Sequence, residues 1–240
     1  MGAAIARRFA SEGARVVVNS SSSVEAGEAL ANELPDALYV QADVANEAQA
    51  RRLVDAALTR WGRLDVLVNN AATSAVIPHE NLDALSDEVW WRIFGVNLLG
   101  PWYLMRAAAK ALRANGGGAV VNVTSLAGVW TAETISAIPY ALSKSALNHL
   151  TVLMANVLGP EVRVNALAPG GIETPMWGDA RDYLRADVTA RTLLGRPGLV
   201  DEIADACLFL AQPGYVTGQV LVIDGGMGVR ASGNRRRWDR

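Results

Sequence analysis

The chain has 240 residues, 51% hydrophobic and 19% charged, with a formal net charge of -2; this excludes a disordered chain, gives no reason to expect nucleic acid, and suits one domain with a sizeable core. A single cysteine, Cys207, excludes an intramolecular disulfide and a cysteine-based metal cluster, and no metal site is expected. Charge, Gly or Pro breaks every apolar stretch before membrane-spanning length, and the start lacks the pattern of a signal peptide, so no membrane partner and a cytoplasmic location are expected.

Residues 1–10 read as a helix already under way, rich in helix formers with apolar residues at helical spacing, and Ser11-Glu12-Gly13 ends it. A β-branched run at 14–18 predicts a buried strand that leaves into Asn19-Ser20-Ser21-Ser22-Ser23, and a helix over 24–34 stops at Pro35. The pair recurs: a strand at 38–41 ends in Ala42-Asp43-Val44, a helix covers 46–61, and a strand at 65–68 runs into Asn69-Asn70-Ala71-Ala72. Strands alternating with helices of this length imply right-handed crossovers and a parallel sheet covered on both faces.

Residues 86–114 read as one long helix with Trp90, Ile93, Phe94, Leu98 and Met105 on its apolar faces and a kink at Pro101. Beyond Gly116-Gly117-Gly118, a strand at 119–123 ends in Thr124-Ser125, a helix carries Tyr140, and a strand at 162–167 enters Pro169-Gly170-Gly171. Residues 174–196 read as irregular, a mobile lid over the sheet edge. A helix at 200–210 and a strand at 220–223 complete a single domain over 1–229, and 230–240 is expected to be a disordered basic tail.

If the segment after Pro139 is helical, Tyr140 and Lys144 lie one turn apart on one face. A lysine cation beside a phenol favours the phenolate, bringing proton exchange toward neutral pH. An isolated Tyr-x-x-x-Lys reads more readily as a half-buried tyrosine on an amphipathic helix beside a solvated lysine. The neighbours narrow the choice. In an open parallel sheet ligands bind outside the carboxyl ends of the strands. Asn19 and its serines, Asp43, Asn69-Asn70, Ser125 and the Pro169-Gly170 turn all interrupt apolar runs at those ends.

In this order the motifs resemble the short-chain dehydrogenase/reductase family, and within it 3-oxoacyl-carrier-protein-reductase-like members, from Gly2 to about Val229. The resemblance rests on Asn69-Asn70-Ala71, Val96-Asn97, Asn122-Val123-Thr124-Ser125 and Tyr140-x-x-Ser143-Lys144. Arg163-Val164-Asn165, Pro169-Gly170-x-Ile172-x-Thr174-Pro175 and Asp224-Gly225-Gly226 complete it. It implies an α/β, Rossmann-like, doubly wound parallel sheet flanked by helices, and hydride transfer between a nicotinamide and a carbonyl or alcohol carbon. By the same analogy Tyr140 is the acid/base, Lys144 lowers its pKa and bonds the nicotinamide ribose, Ser125 bonds the substrate oxygen, and Asn97 holds a relay water.

Cofactor contacts implied by the resemblance are Gly2 at the pyrophosphate, Asp43 and Val44 at the adenine, and Asn70 and Ala71 beside them. Tyr140 and Lys144 join Pro169, Gly170, Ile172 and Thr174 at the nicotinamide end. Asn19, Ser20 and Ser21 stand where an acid would repel a 2′-phosphate, so NADP(H) is favoured, with NAD(H) the alternative. The family's first strand and most of its glycine turn have no counterpart, and a chain truncated at its N-terminus is expected. The implied function is reduction of a ketone or 3-oxoacyl substrate by a homodimer or homotetramer. An NAD-dependent alcohol or sugar dehydrogenase is the alternative, and a non-catalytic binding protein on this scaffold is the reading if the short start is genuine. The loop at 129–138, with Trp130, is expected to form part of the substrate wall.

Overall fold

Strand and helix alternate along most of the chain, as the hydrophobic periodicity predicts. The computed structural model describes residues 1–75, 77, 81–114, 116–130 and 138–229, the side chains of 175 and 176 excepted. The expected tail and most of the 129–138 loop lie outside the described residues.

Helices α1 (Gly2–Ser11), α2 (Val24–Glu33) and α3 (Glu47–Trp61) alternate with strands β1 (Val16–Ser20), β2 (Ala37–Gln41) and β3 (Val66–Asn69). Helix α3 has the clearest local signals: Asn46 Oδ1 accepts from Gln49 N at 3.1 Å, and Gly62 closes the helix at φ 72°. Then come α4 (Asp87–Phe94), α5 (Gly100–Ala114), β4 (Gly118–Val123), α6 (Ile138–Leu158) and β5 (Val162–Pro169). Helices α7 (Arg181–Arg191) and α8 (Val200–Ala211) precede β6 (Val220–Ile223).

All strand pairs are parallel, but they form two sheets. β1 pairs with β2 from Val16 opposite Ala37 to Ser20 opposite Gln41. The second sheet has the order β3-β4-β5-β6, with Val66 opposite Ala119, Gly118 opposite Val162 and Ala166 opposite Val220. Its central strands are buried on both faces, which explains their unbroken apolar runs. Val120 and Val164 pack on one face with Met105, Leu112 and Leu158. Val121 and Leu167 pack on the other with Ile5, Ile203 and Cys207. The break between the sheets falls between β1 and β3.

Three expectations are corrected. β1 begins at Val16, where Val16 N donates to Asp36 O at 3.1 Å, and runs to Ser20, so Asn19 and Ser20 lie inside the strand. Residues 86–114 are not one helix kinked at Pro101: a π-helical turn, Gly95–Leu99, separates α4 from α5. Pro101 has no N–H for the carbonyl four residues earlier, that of Asn97, and the backbone rewinds so that Gly100 N donates to Gly95 O. Residues 174–196 are not irregular throughout: a 3-10 stretch, Pro175–Ala180, leads into α7, whose start is tied down where Glu173 accepts from Arg181 Nε at 2.9 Å and lies 3.5 Å from Arg185.

Candidate active site

The site is built on the carboxyl end of β4. Thr124 N donates to Leu167 O at 2.7 Å, keeping the chain on the sheet until Ser125, whose Oγ accepts from Ala127 N at 3.2 Å and starts a tight turn. That turn lies directly on α6. A Cβ added to Gly128 would stand 2.6 Å from the Lys144 carbonyl carbon, and Asn148 Nδ2 donates to Gly128 O at 3.0 Å. The contact fixes Ser125 beside Tyr140, close enough for its hydroxyl to act on the phenol. Lys144 is 2% exposed; its ammonium donates to Val123 O at 2.9 Å and lies 5.8 Å from the centre of the Tyr140 ring.

Burial is the largest influence on both ionisable groups. Burial pushes Tyr140 up from its ordinary value, with the Ser125 hydroxyl acting in the opposite sense. Burial also pushes Lys144 down to about 8. The phenol is therefore protonated at neutral pH, the form that can give a proton to a carbonyl oxygen. Desolvation, rather than the lysine's charge, dominates both groups.

Asn97 joins this group through its amide. In the π turn it is fully buried; its Oδ1 accepts from Thr73 N at 2.8 Å, and its Nδ2 donates to Thr73 O at 2.9 Å and Ser143 Oγ at 3.0 Å. Ser143 Oγ in turn donates to Tyr140 O at 2.7 Å. Asn97 thus ties the segment after β3 to the first turn of α6, and its side chain positions Tyr140's backbone.

Below this lies a second buried network to which the sequence motifs assigned no role. Asn69 Nδ2 donates to Asn122 Oδ1 at 2.7 Å, Asn122 Nδ2 to Thr151 Oγ1 at 2.9 Å, and Thr151 Oγ1 to Leu147 O at 2.8 Å. It joins β3, β4 and α6 under the catalytic turn. Asn165 Nδ2 donates to Val216 O at 2.9 Å, and Arg163 binds the carbonyls that end α8, Leu210 and Ala211, at 2.8 and 2.9 Å. Asparagine inside apolar strands was the available signal: a buried amide must find partners on neighbouring elements.

The expected cofactor residues are less uniform. Asn19 Nδ2 donates to Val40 O at 3.1 Å and Ala42 O at 2.9 Å, joining β1 to β2, and Ser20 Oγ lies 2.9 Å from Tyr39 Oη. Ser21 is exposed. Asp43 accepts from Ala45 N at 2.9 Å, and Val44 is buried against Gly100. Gly2 abuts Asn70, where an added Cβ would stand 2.7 Å from Nδ2, while Ala71 is exposed. Pro169 ends β5, and Gly170 N donates to Ile223 O at 2.9 Å. Ile172 is a core residue, 6% exposed, so its side chain is not free to touch a ligand. Half-buried Thr174 precedes the turn into α7, and Trp130 lies against Gly228 beside the Asp224 turn.

The nicotinamide end fits the residues present. Lys144 has one protein partner for three donors, and the carboxamide oxygens of Asn69 and Asn70 are buried without a partner. A ligand hydroxyl beside the ammonium can take its remaining donors. Among the described residues no group of acidic, histidine and cysteine side chains could hold a metal ion.

Residues 1–228 match the family model described as enoyl-(acyl carrier protein) reductase. The chain is 51% identical over 229 residues to the Streptomyces violaceoruber protein named ketoacyl reductase 2 of granaticin polyketide synthase, covering 94% of this chain and 91% of that one. It is 38% identical to a 3-alpha-(or 20-beta)-hydroxysteroid dehydrogenase of Mycobacterium bovis, covering 94% and 84%. A gluconate 5-dehydrogenase of Burkholderia cenocepacia, solved with NADP and tartrate, superposes with a TM-score of 0.85 at 33% identity, covering 95% of this chain and 91% of its own.

Proposed function

The chain belongs to the short-chain dehydrogenase/reductase family, and from that premise we propose that it reduces the carbonyl of a ketone or 3-oxoacyl substrate with NADP(H). The observation that carries the proposal is the juxtaposition of Ser125, the Tyr140 phenol and a buried Lys144 with donors to spare. When bound, the cofactor supplies the hydride. Lys144, Gly170 and Thr174 hold its nicotinamide end. Ser125 donates to the substrate oxygen and stabilises the charge developing there, worth about 3 kcal/mol in sites of this type. Tyr140 gives that oxygen its proton, and Lys144, poised near neutrality, returns one to Tyr140. The Asn97 amide is engaged, so a relay water would rest on its main-chain carbonyl, which Pro101 cannot cover.

Exposed Ser21 and Ser22 after β1 carry no charge to repel a 2′-phosphate, which supports NADP(H) over NAD(H). The ketoacyl reductase name of the Streptomyces relative supports the substrate class. Among the described residues no helix is long and apolar enough to cross a membrane, in line with the proposed cytoplasmic location. Helix α6 exposes Val152, Leu153 and Val157, a surface suited to the proposed homodimer or homotetramer. Light scattering tests the assembly, and a monomer mass rejects it.

The decisive assay follows loss of reduced-nicotinamide absorbance with an acetoacetyl thioester and with simple ketones, using NADPH and NADH separately. Turnover with NADPH at higher kcat/KM is expected. Preference for NADH overturns the cofactor assignment, and no turnover with either overturns the activity.

A further inference from the structure

Along α6 the residues Tyr140, Lys144 and Asn148 follow one another at helical spacing and form one stripe. Tyr140 and Lys144 take part in the reaction proposed above, whereas Asn148 has no place in it. Two members of the stripe grip the end of β4, one on each side of Ser125. Lys144 Nζ donates to Val123 O at 2.9 Å, before the serine, and Asn148 Nδ2 donates to Gly128 O at 3.0 Å, after it. Between these bonds the chain closes on itself: Gly128 N donates to Ser125 O at 2.9 Å, and Ala127 N donates to Ser125 Oγ at 3.2 Å. A Cβ on Gly128 would stand 2.7 Å from Ser145 N as well as against Lys144, so the turn rests on the helix backbone itself.

Asparagine is a poor helix former, and Asn148 stands in the interior of α6. Its Oδ1 is buried without a partner, which carries a desolvation penalty. Leucine, of similar size, would incur neither cost. What the amide adds at this position is a donor for Gly128 O. The bond from Ala127 N occupies a lone pair of Ser125 Oγ, so the turn sets the direction in which the hydroxyl hydrogen points. That turn is secured at its far end by Asn148.

We propose that Asn148 is a positioning residue: with Lys144 it clamps the Ser125 turn onto α6 and aims the Ser125 hydroxyl at the oxygen that Tyr140 protonates. The proposal rests on the carbonyl reduction put forward above. Because both grips come from the helix that carries Tyr140, the two groups that meet the substrate oxygen are held by one rigid element rather than by a loop.

The test compares the unaltered chain with Asn148→Leu, and with Asn148→Ala as a variant that adds no bulk to the helix. In both, kcat with NADPH and a ketone should fall about 10-fold or more, with KM for NADPH unchanged. The melting temperature of Asn148→Leu should stay near that of the unaltered chain, because a buried acceptor leaves together with the donor. Single-turnover rates then separate positioning from a structural role. Ser125→Ala should be slow, and adding Asn148→Leu to it should slow it no further, since the residue acts through Ser125. Hydrogen exchange gives a readout without turnover: the Ala127 and Gly128 amides should exchange at least tenfold faster in Asn148→Leu, with those inside α6 unaffected. Unchanged kcat, additive losses in the double variant, or unchanged exchange of the two amides overturns the proposal. If the unaltered chain reduces no substrate, the activity itself falls, and the exchange result alone decides whether Asn148 holds the turn.

Discussion

At the carboxyl ends of β3, β4 and β5, buried polar side chains are bonded across several elements, and β4 is nearly inaccessible along its length. At the corresponding ends of β1 and β2 the strands are only partly buried, and the Asn19 amide is the main polar link between them. Both regions use the same strand-helix unit. The four-stranded sheet encloses its amides and can therefore hold a buried ammonium and a protonated phenol in fixed positions. The two-stranded sheet has an open edge, and its residues hold one another rather than a site. Preorganised chemistry thus follows the closed backbone.

The largest effect that sharpens this contrast is at Tyr140. Tyr140→Phe should lower kcat by about 100-fold or more, the scale of a lost general acid, while circular dichroism and the melting temperature stay as they are. Retained turnover in a steady-state assay would remove Tyr140 from its role.

Next is the buried ammonium. Lys144 is held at about 8, below the 10.5 of an exposed lysine, so the native state binds fewer protons than the unfolded chain between those values. Its penalty is complete below pH 8 and disappears as pH rises toward 10.5. Lys144→Met removes it and should raise unfolding free energy at pH 7 by up to about 3 kcal/mol, with the gain shrinking between pH 8 and 10. Comparing variant with wild type in urea at each pH cancels the Tyr140 contribution common to both. A difference that does not change with pH contradicts the assignment.

Asn122→Ala removes the centre of the β3-β4-α6 network and leaves Asn69 and Thr151 without that partner; about 2 to 3 kcal/mol of stability should be lost. Asn19→Ala should cost about 1 kcal/mol, because its bonds are partly solvated. Equal losses in chemical denaturation would break the comparison between the sheets. The smallest effect is in native-state hydrogen exchange, where β1 and β2 amides should open at lower free energy than those of β4 and β5.

Much of this was legible along the chain. Hydrophobic periodicity located the strands and helices to within two residues at most ends, because β4 and β5 are apolar on consecutive positions and α3 carries its own cap. The order of Ser125, Tyr140 and Lys144 identified the chemistry, since one helical turn brings the last two together whatever surrounds them. The π turn was not legible: Pro101 signalled a disturbance, but whether a helix kinks or rewinds depends on what the displaced turn packs against. Helix α7 was hidden in a polar stretch, because its anchor, Glu173 to Arg181 and Arg185, is a pairing between a loop and a helix.

Local spacing determined the parallel α/β architecture and put Tyr140 and Lys144 on one helical face, because both follow from repeats of two and three to four residues along the backbone, and the family resemblance added Ser125. Tertiary packing alone decided how deeply Tyr140 and Lys144 are buried and which elements the Asn97 and Asn122 amides join. Desolvation and backbone pairing are properties of the volume around a residue, and neighbours in sequence do not specify that volume.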